Sequence, residues 1–441
     1  MAVVGSGVSG LSAAWLLSRR YAVTLYEAAD RLGGHANTVE VQDREGGRTS
    51  VDTGFIVYNE ENYPNLTALF RHLGVPTKPA EMDFAVSLDR GKLEYGSARP
   101  TALFAQRRNV ISPRFWAMLR DLVRFYREAP ADQALVREVQ LSIGEYLQGG
   151  GYCAAFMEDH LLPQAAAIWS ASVGQIRDYP AAALVRFFDN HGLLKLSGRP
   201  QWRTVEGGSR RYVETLSAAT KADVRLGCAV RRIVRNPSGV IVEDATGRLE
   251  RFDRVLVATH ANHALAMLSE PSAEEVRLLG AFRYSANTAV LHTDTSLMPQ
   301  RRAAWSSWNY IGRRGDAEGR CVTYWMNRLQ GLKTAEPLFV SLNPHTPPDP
   351  AKVLREEAYE HPLFDARALA AQSELWSLQG RGGVWFSGAH FGSGFHEDGL
   401  QAGLAAAEAM GAPRRPWSVA DESGRIHLPP EPAEFPMRRT A

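Results

Sequence analysis

The chain is 441 residues long, 45% hydrophobic and 22% charged, the composition of an ordinary globular protein large enough for two or three units with sizeable cores. Fifty basic against forty-eight acidic residues leave a net charge of only +2, which argues against a nucleic-acid partner. Three widely spaced cysteines (Cys153, Cys228, Cys321) form neither a disulfide framework nor a metal-ligating motif, and no apolar run approaches the roughly eighteen residues of a membrane span. A cytoplasmic protein with no signal peptide and no bound metal is therefore expected.

Residues 2–27, "AVVGSGVSGLSAAWLLSRRYAVTLYE", read as a complete β-α-β unit. Ala2 to Val4 predicts a short buried strand, Leu11 to Ser18 a helix, and Val23 to Tyr26 a second strand ending at Glu27. Gly5, Gly7 and Gly10 stand at GxGxxG spacing: the first allows the tight turn, the second lets a pyrophosphate approach the backbone, and the third lets helix and strand pack closely. Ser6, Val8 and Ser9 fill the motif at a helix N-terminus that attracts phosphate. Glu27, followed by Ala28, is placed to accept from two ribose hydroxyls. An acid there points to an unphosphorylated ribose, hence NAD or FAD. Arg31, Gly33 and Gly34 come next and supply a cation and two more close-approach glycines for the same pyrophosphate. "VDTGFIVYN", residues 51–59, reads as a strand with Asp52 and Gly54 at its turn and Phe55 after them.

Further along, a helix from Tyr63 to Leu73 and a hairpin pairing 84–88 with 92–95 are predicted. Residues 101–190 read as mostly helical. Within them, 101–130 interleaves Arg107, Arg108, Arg114, Arg120, Arg124 and Arg127 with Phe104, Phe115, Trp116, Leu119, Leu122 and Phe125. That pattern predicts a pair of amphipathic helices, suited either to an anionic membrane surface or to packing on the protein with solvated arginines. Paired glycines at 207 and 208 precede a helix, and strands are predicted at 224–226, 229–234 and 254–259. Alternating runs at 288–292, 305–311 and 322–327 suggest an antiparallel sheet. A last strand at 385–389 leads through "GSGFHEDGLQAG", residues 392–403, into a helix beginning near Leu400. The final thirty residues are proline-rich and read as an extended tail.

Taken in order, GxGxxG, Glu27, Arg31-x-Gly33-Gly34, the 51–59 segment, the strand end at Ala258 and Thr259, and the terminal strand-turn-helix resemble the flavin amine oxidase and phytoene desaturase superfamily along the whole chain. The resemblance implies an α/β, two-domain flavoprotein: a Rossmann-like FAD domain from 1–60, 200–285 and 383–412, and an α+β substrate domain of antiparallel sheet plus helices from 61–199 and 286–382, followed by the 413–441 tail. It implies FAD contacts from the glycine motif, Glu27, Ala28, Arg31, Gly33, Gly34, Asp52, Gly54 and Phe55. It adds Val230 near adenine, then Ala258, Thr259, Gly388, Ala389, Asp398, Gly399 and Leu400. The last helix N-terminus would face the flavin edge where negative charge gathers on reduction. No cysteine lies in 384–403, so the FAD is expected to be non-covalent. His35 stands where many relatives carry arginine.

Flavin usually takes hydride at N5 and requires no particular acid or base, so His35, Tyr58, His390 and His396 are candidates for catalysis only because they lie on flavin-adjacent segments. Two substrate readings are open. An amine oxidase needs an aromatic cage, which Trp305, Trp308, Tyr310, Tyr324 and Trp325 could build, although aromatics on alternating strands also make ordinary core. The other reading is a dehydrogenase or desaturase of apolar chains. "VDTGFIVYNEENYPNL" and "GAHFGSGFHEDGLQAGL" resemble a branch linked to cyclopropane fatty-acid synthases and furan fatty acid formation. That branch implies a methylated or unsaturated, phospholipid-bound acyl chain as substrate, and the basic amphipathic stretch at 101–130 independently suggests a place on the inner face of an anionic membrane. The electron acceptor is left open. A non-catalytic flavin-binding scaffold is the third reading.

Overall fold

The computed structural model describes residues 1–42, 46–316 and 321–429. Its parallel sheet has five strands, in the order Ala222–Arg225, Val23–Tyr26, Ala2–Val4, Val255–Val257 and Val384–Phe386. Every pair in it is parallel, with Val3 opposite both Leu25 and Leu256. The central strands are buried throughout and apolar except for Thr24, as a sheet covered on both faces requires. The Val8–Leu17 helix is buried along its whole length. It packs against the closing helix, His396–Ala409, so tightly that a Cβ at Gly403 would be driven into the Ser9 carbonyl oxygen. Ser9 also donates its hydroxyl to Ser387 Oγ (2.9 Å), which ties both ends of the chain together.

A second sheet has seven strands, in the order Val353–Leu363, Arg283–His292, Phe339–Leu342, Val322–Trp325, Trp308–Gly312, Phe84–Leu88 and Leu93–Gly96. The antiparallel sheet expected after residue 286 thus takes in the early hairpin, and it does so through a parallel pair, Trp308 opposite Phe84. A meander of Val230–Asn236, Gly239–Asp244 and Leu249–Phe252 follows the parallel strand at 222; its last two strands were not foreseen.

Three expectations are corrected. The amphipathic pair at 101–130 is a short turn of helix at Pro100–Leu103, a 3-10 turn at Arg107–Ile111, and one long helix, Pro113–Val139. Pro113 suits a first helical turn, and Ser112 caps the helix by accepting from the Phe115 N–H, so the helix starts there and not earlier. The closing helix begins at His396 rather than near Leu400, because Asp398 in its first turn accepts from the Phe395 N–H (2.7 Å) and completes the N-terminus. The supposed tail folds back as far as it is described. Trp417 stacks on Trp15 (centroids 5.9 Å apart), buried Arg415 bonds Glu408 and Asn65, and Arg425 reaches Asp398 and the Asn62 carbonyl. Its arginines and tryptophan, not its prolines, decide its conformation. Residues 430–441 of that tail lie outside the described residues.

Candidate flavin-binding site and its histidine wall

Ligands of open parallel sheets sit beyond the carboxyl ends of the strands. Here the Ala2–Val4 strand runs into Gly5, whose φ of +96° and closeness to the Ala258 carbonyl (2.8 Å from a virtual Cβ) leave room for no other residue. Gly7 precedes the first helix with nothing within 4 Å of its Cβ position, so space lies open before that helix N-terminus. Gly34, at φ +55°, would bring a Cβ within 3.1 Å of Gly7 Cα, and Arg31 folds over to donate to the Gly34 carbonyl (2.9 Å). The closing helix points its N-terminus at the same place, where a Cβ on Gly399 would meet Val8 Cγ1 at 3.0 Å. Two positive helix ends, close-approach glycines and a guanidinium make a cradle whose chemistry fits a dinucleotide pyrophosphate.

Glu27 lies at the end of the second strand, half-buried. Ser6 donates its N–H (2.9 Å) and its hydroxyl to Oε2, and Ala29 donates its N–H to Oε1 (2.9 Å). Cys228 donates its N–H to the Glu27 carbonyl (2.8 Å), which places the segment leading to Val230 beside this acid. Ala28 is exposed next to it. Gly54 is forced by backbone contact, since a Cβ would enter the His35 carbonyl, to which Phe55 donates its N–H (2.8 Å). Asp52 is fully buried and already partnered: Thr38, the Ser209 N–H and hydroxyl, and Gln330 all donate to it. Burial still lifts its carboxyl to about 6. Asp398 is likewise buried with Phe395 and Arg425 as partners. Both acids fix the backbone of these segments.

The candidate catalytic residues fall into different places. His35 lies against Tyr359 (centroids 5.0 Å), His361 (5.5 Å) and His260 (6.0 Å). Burial, then the neighbouring His361, His260 and His396, lower its pKa to about 3, and its Nε2 has no hydrogen-bond partner. His390 follows Gly388 and Ala389; burial lowers it to about 3, and its Nε2 too has no partner. His396 stacks on Phe55 and shares a 2.5 Å hydrogen bond with the Tyr212 hydroxyl. Tyr58 stands apart, packed on Phe70 and Tyr63 with its hydroxyl donating to Thr77.

Residues not singled out from the sequence complete this wall. His260 directly follows Thr259 at a strand end, and Tyr359 and His361 alternate along the edge strand Val353–Leu363. Burial also pushes His361 down to about 4. A histidine immediately beyond a strand that ends in small residues was a usable signal for His260; nothing local marked His361. The five aromatics expected to form a cage do not converge. Trp308 pairs across strands with Tyr324, whereas Trp305 meets Trp325, the next residue on and so on the other face.

The family model for flavin containing amine oxidoreductases matches residues 8–343. The Mycobacterium tuberculosis protein named as a flavin-containing monoamine oxidase, AofH, is 28% identical over 278 residues, covering 61% of this chain and 58% of that one. The chain therefore spans somewhat under three fifths of that relative's length. Among solved structures, putrescine oxidase bound to putrescine aligns with a TM-score of 0.65 at 17% identity, covering 93% of this chain and 98% of that one. A fatty acid isomerase from P. acnes that produces CLA aligns at 0.62 and 15%, covering 93% and 97%. At these identities the structural likeness is one of fold.

Proposed function

The chain belongs to the flavin-containing amine oxidoreductase family, and we propose that it is an FAD-dependent oxidoreductase that removes hydrogen from a fatty acyl chain, methylated or already unsaturated and carried on a phospholipid. The FAD expected from the sequence is in keeping with that family and, when bound, supplies the two-electron acceptor.

The observation that carries the acyl reading is that, among the described residues, no buried charge is left free around the strand ends. His35, His361, His390 and His396 are all held uncharged by burial. The buried acids of the same segments, Asp52 and Asp398, are engaged as described, and Glu360, against His260 and His263, stands 42% exposed at the outer side of the wall. A protonated amine brought here would lose its water without gaining a free carboxylate, whereas an acyl chain needs no countercharge. Loss of two hydrogens leaves a proton as well as a hydride, and because burial holds His35 near 3, that proton passes on to solvent and is not kept by this imidazole.

Access from a membrane has a surface to match. Val110, Ile111 and Trp116 are 50%, 83% and 50% exposed, beside exposed Arg107, Arg108 and Arg127. Trp116 is pinned by donating its indole N–H to the Val110 carbonyl (2.8 Å), and a shallow groove runs from it past Leu119, Arg120 and Val123. Arg114 and Arg124 serve the protein instead, bonding Asp159 and the Gly150 carbonyl. Among the described residues no helix is long and apolar enough to cross a membrane, so contact at the surface is the form such an association takes.

A second reading, oxidation of an amine, is favoured by the likeness to AofH. Incubating the FAD-loaded protein with phospholipids and with amines, each with a dye acceptor, separates the two. The acyl reading expects lipid chains lighter by two hydrogens. Oxidised amines beside unchanged lipids contradict it.

A further inference from the structure

No metal was expected from the sequence, whose cysteines make no ligating motif. Among the described residues the fold nevertheless assembles a non-cysteine donor set outside the cradle. We propose that His260, His263 and Glu360 form a binding site for a divalent ion of the zinc type.

The three residues come from distant parts of the chain. His260 caps the short helix Ala261–Met267 that follows the parallel sheet, and His263 lies one turn on. Glu360 belongs to the edge strand of the seven-stranded sheet. His260 Nδ1 stands 3.2 Å and His263 Nε2 3.5 Å from the same oxygen, Glu360 Oε2. All three donor atoms lie within 4.8 Å of one another. Zinc takes nitrogen and carboxylate oxygen at about 2.0–2.2 Å, so donors at the corners of its tetrahedron stand about 3.3 Å apart. Two edges already have that length. The third, between the nitrogens, closes by a turn of the His263 side chain, which is 56% exposed.

The surroundings favour a neutral, oriented imidazole. The His260 ring stacks on Tyr284 (4.4 Å, 16°) on one side and faces His263 (5.3 Å, 24°) on the other. Tyr284 is itself anchored, its hydroxyl accepting from the Ala261 N–H (2.9 Å). Two imidazoles and a carboxylate suit zinc, cobalt or nickel better than magnesium or calcium, and the solvent-facing fourth position is left to water. Loading would join the helix at the end of the parallel sheet to the strand that carries Tyr359 and His361, the two side chains against His35. The site is thus independent of which substrate the flavin oxidises.

Untagged, chelator-treated, FAD-loaded protein is titrated with zinc chloride by calorimetry, and its melting temperature is followed with and without zinc. The expected result is one saturable equivalent that raises the melting temperature, with affinity weakened at least about tenfold in both His263→Ala and Glu360→Gln. Both altered side chains are partly exposed, so the variants should fold, and their zinc-free melting temperatures report whether they do. Absence of saturable binding below about 1 mM, or wild-type affinity in either variant, overturns the site.

Discussion

His396 lies flat on Phe55, ring centroids 3.8 Å apart and planes 11° from parallel. The contact joins the first residue of the closing helix to the loop that follows buried Asp52, and so sets the position of that helix N-terminus in the flavin cradle. Phe55→Ala should remove the stack and cost about 2 kcal/mol, less than a fully buried phenylalanine because the ring is half-exposed. Urea denaturation and FAD titration should both register it. Unchanged FAD affinity would mean that the loop does not position the helix.

Glu27 is already oriented by the Ser6 and Ala29 donors, leaving its outer lone pairs for a ribose. Glu27→Arg should weaken FAD binding by at least about tenfold, since each charge-assisted hydrogen bond contributes about 1.5–3 kcal/mol. Fluorescence of free FAD at equilibrium measures this. A change within about twofold would remove Glu27 from the ribose site.

Acid should destabilise the protein above the pH at which ordinary carboxylates are protonated. Burial lowers His160 to about 4 and His191 and His390 to about 3, from an unfolded value of 6.5. Their contribution is complete above 6.5 and is lost as pH falls towards the folded values, because the unfolded chain takes up the protons first. Between about pH 7.5 and 5.5 each loses about 1.4 kcal/mol. Asp52, raised to about 6, opposes them by about 1 kcal/mol over the same range. Unfolding free energies from urea titrations should therefore drop by about 3 kcal/mol or more, and His191→Phe should reduce that drop by about 1.4 kcal/mol. A flat profile would mean that these histidines are not desolvated in the native state.

Membrane contact assigned to the 107–127 surface makes its own demand. Ile111→Asp with Trp116→Ala, or Arg107, Arg108 and Arg127 changed to Glu, should lower binding and turnover on anionic vesicles while sparing detergent-dispersed lipid. Each arginine near such a surface contributes about 1 kcal/mol, so losing three, with three carboxylates added, should weaken vesicle binding by at least about a hundredfold. Equal losses in vesicles and detergent would rule the surface out.

What was legible in the sequence was local. Gly5, Gly7, Gly10, Glu27, Arg31, Gly33 and Gly34 lie within thirty residues, and their spacing alone marks the turn, the helix start and the strand end they form. The closing helix was readable as an element, but its start depended on the Asp398 bond to Phe395, a detail of one side chain. The histidine wall was not readable as a group. His35, His260 and His361 meet only because the edge strand of one sheet comes against the strand ends of the other. The aromatic cage failed for a simpler reason: Tyr324 and Trp325 are adjacent on a strand and cannot share a face. The tail was misread from its prolines, when Arg415 and Trp417 hold it.

In the proposed function an uncharged acyl chain, not an amine, gives hydrogen to the flavin. Anaerobic mixing of the FAD-loaded protein with substrate tests it most directly, because the oxidised flavin absorbance then reports the substrate alone. Unsaturated or methylated phospholipid should bleach that absorbance, and putrescine or another simple amine should leave it unchanged. Rapid bleaching by the amine, with none by lipid, would contradict the account and assign the site to amine oxidation.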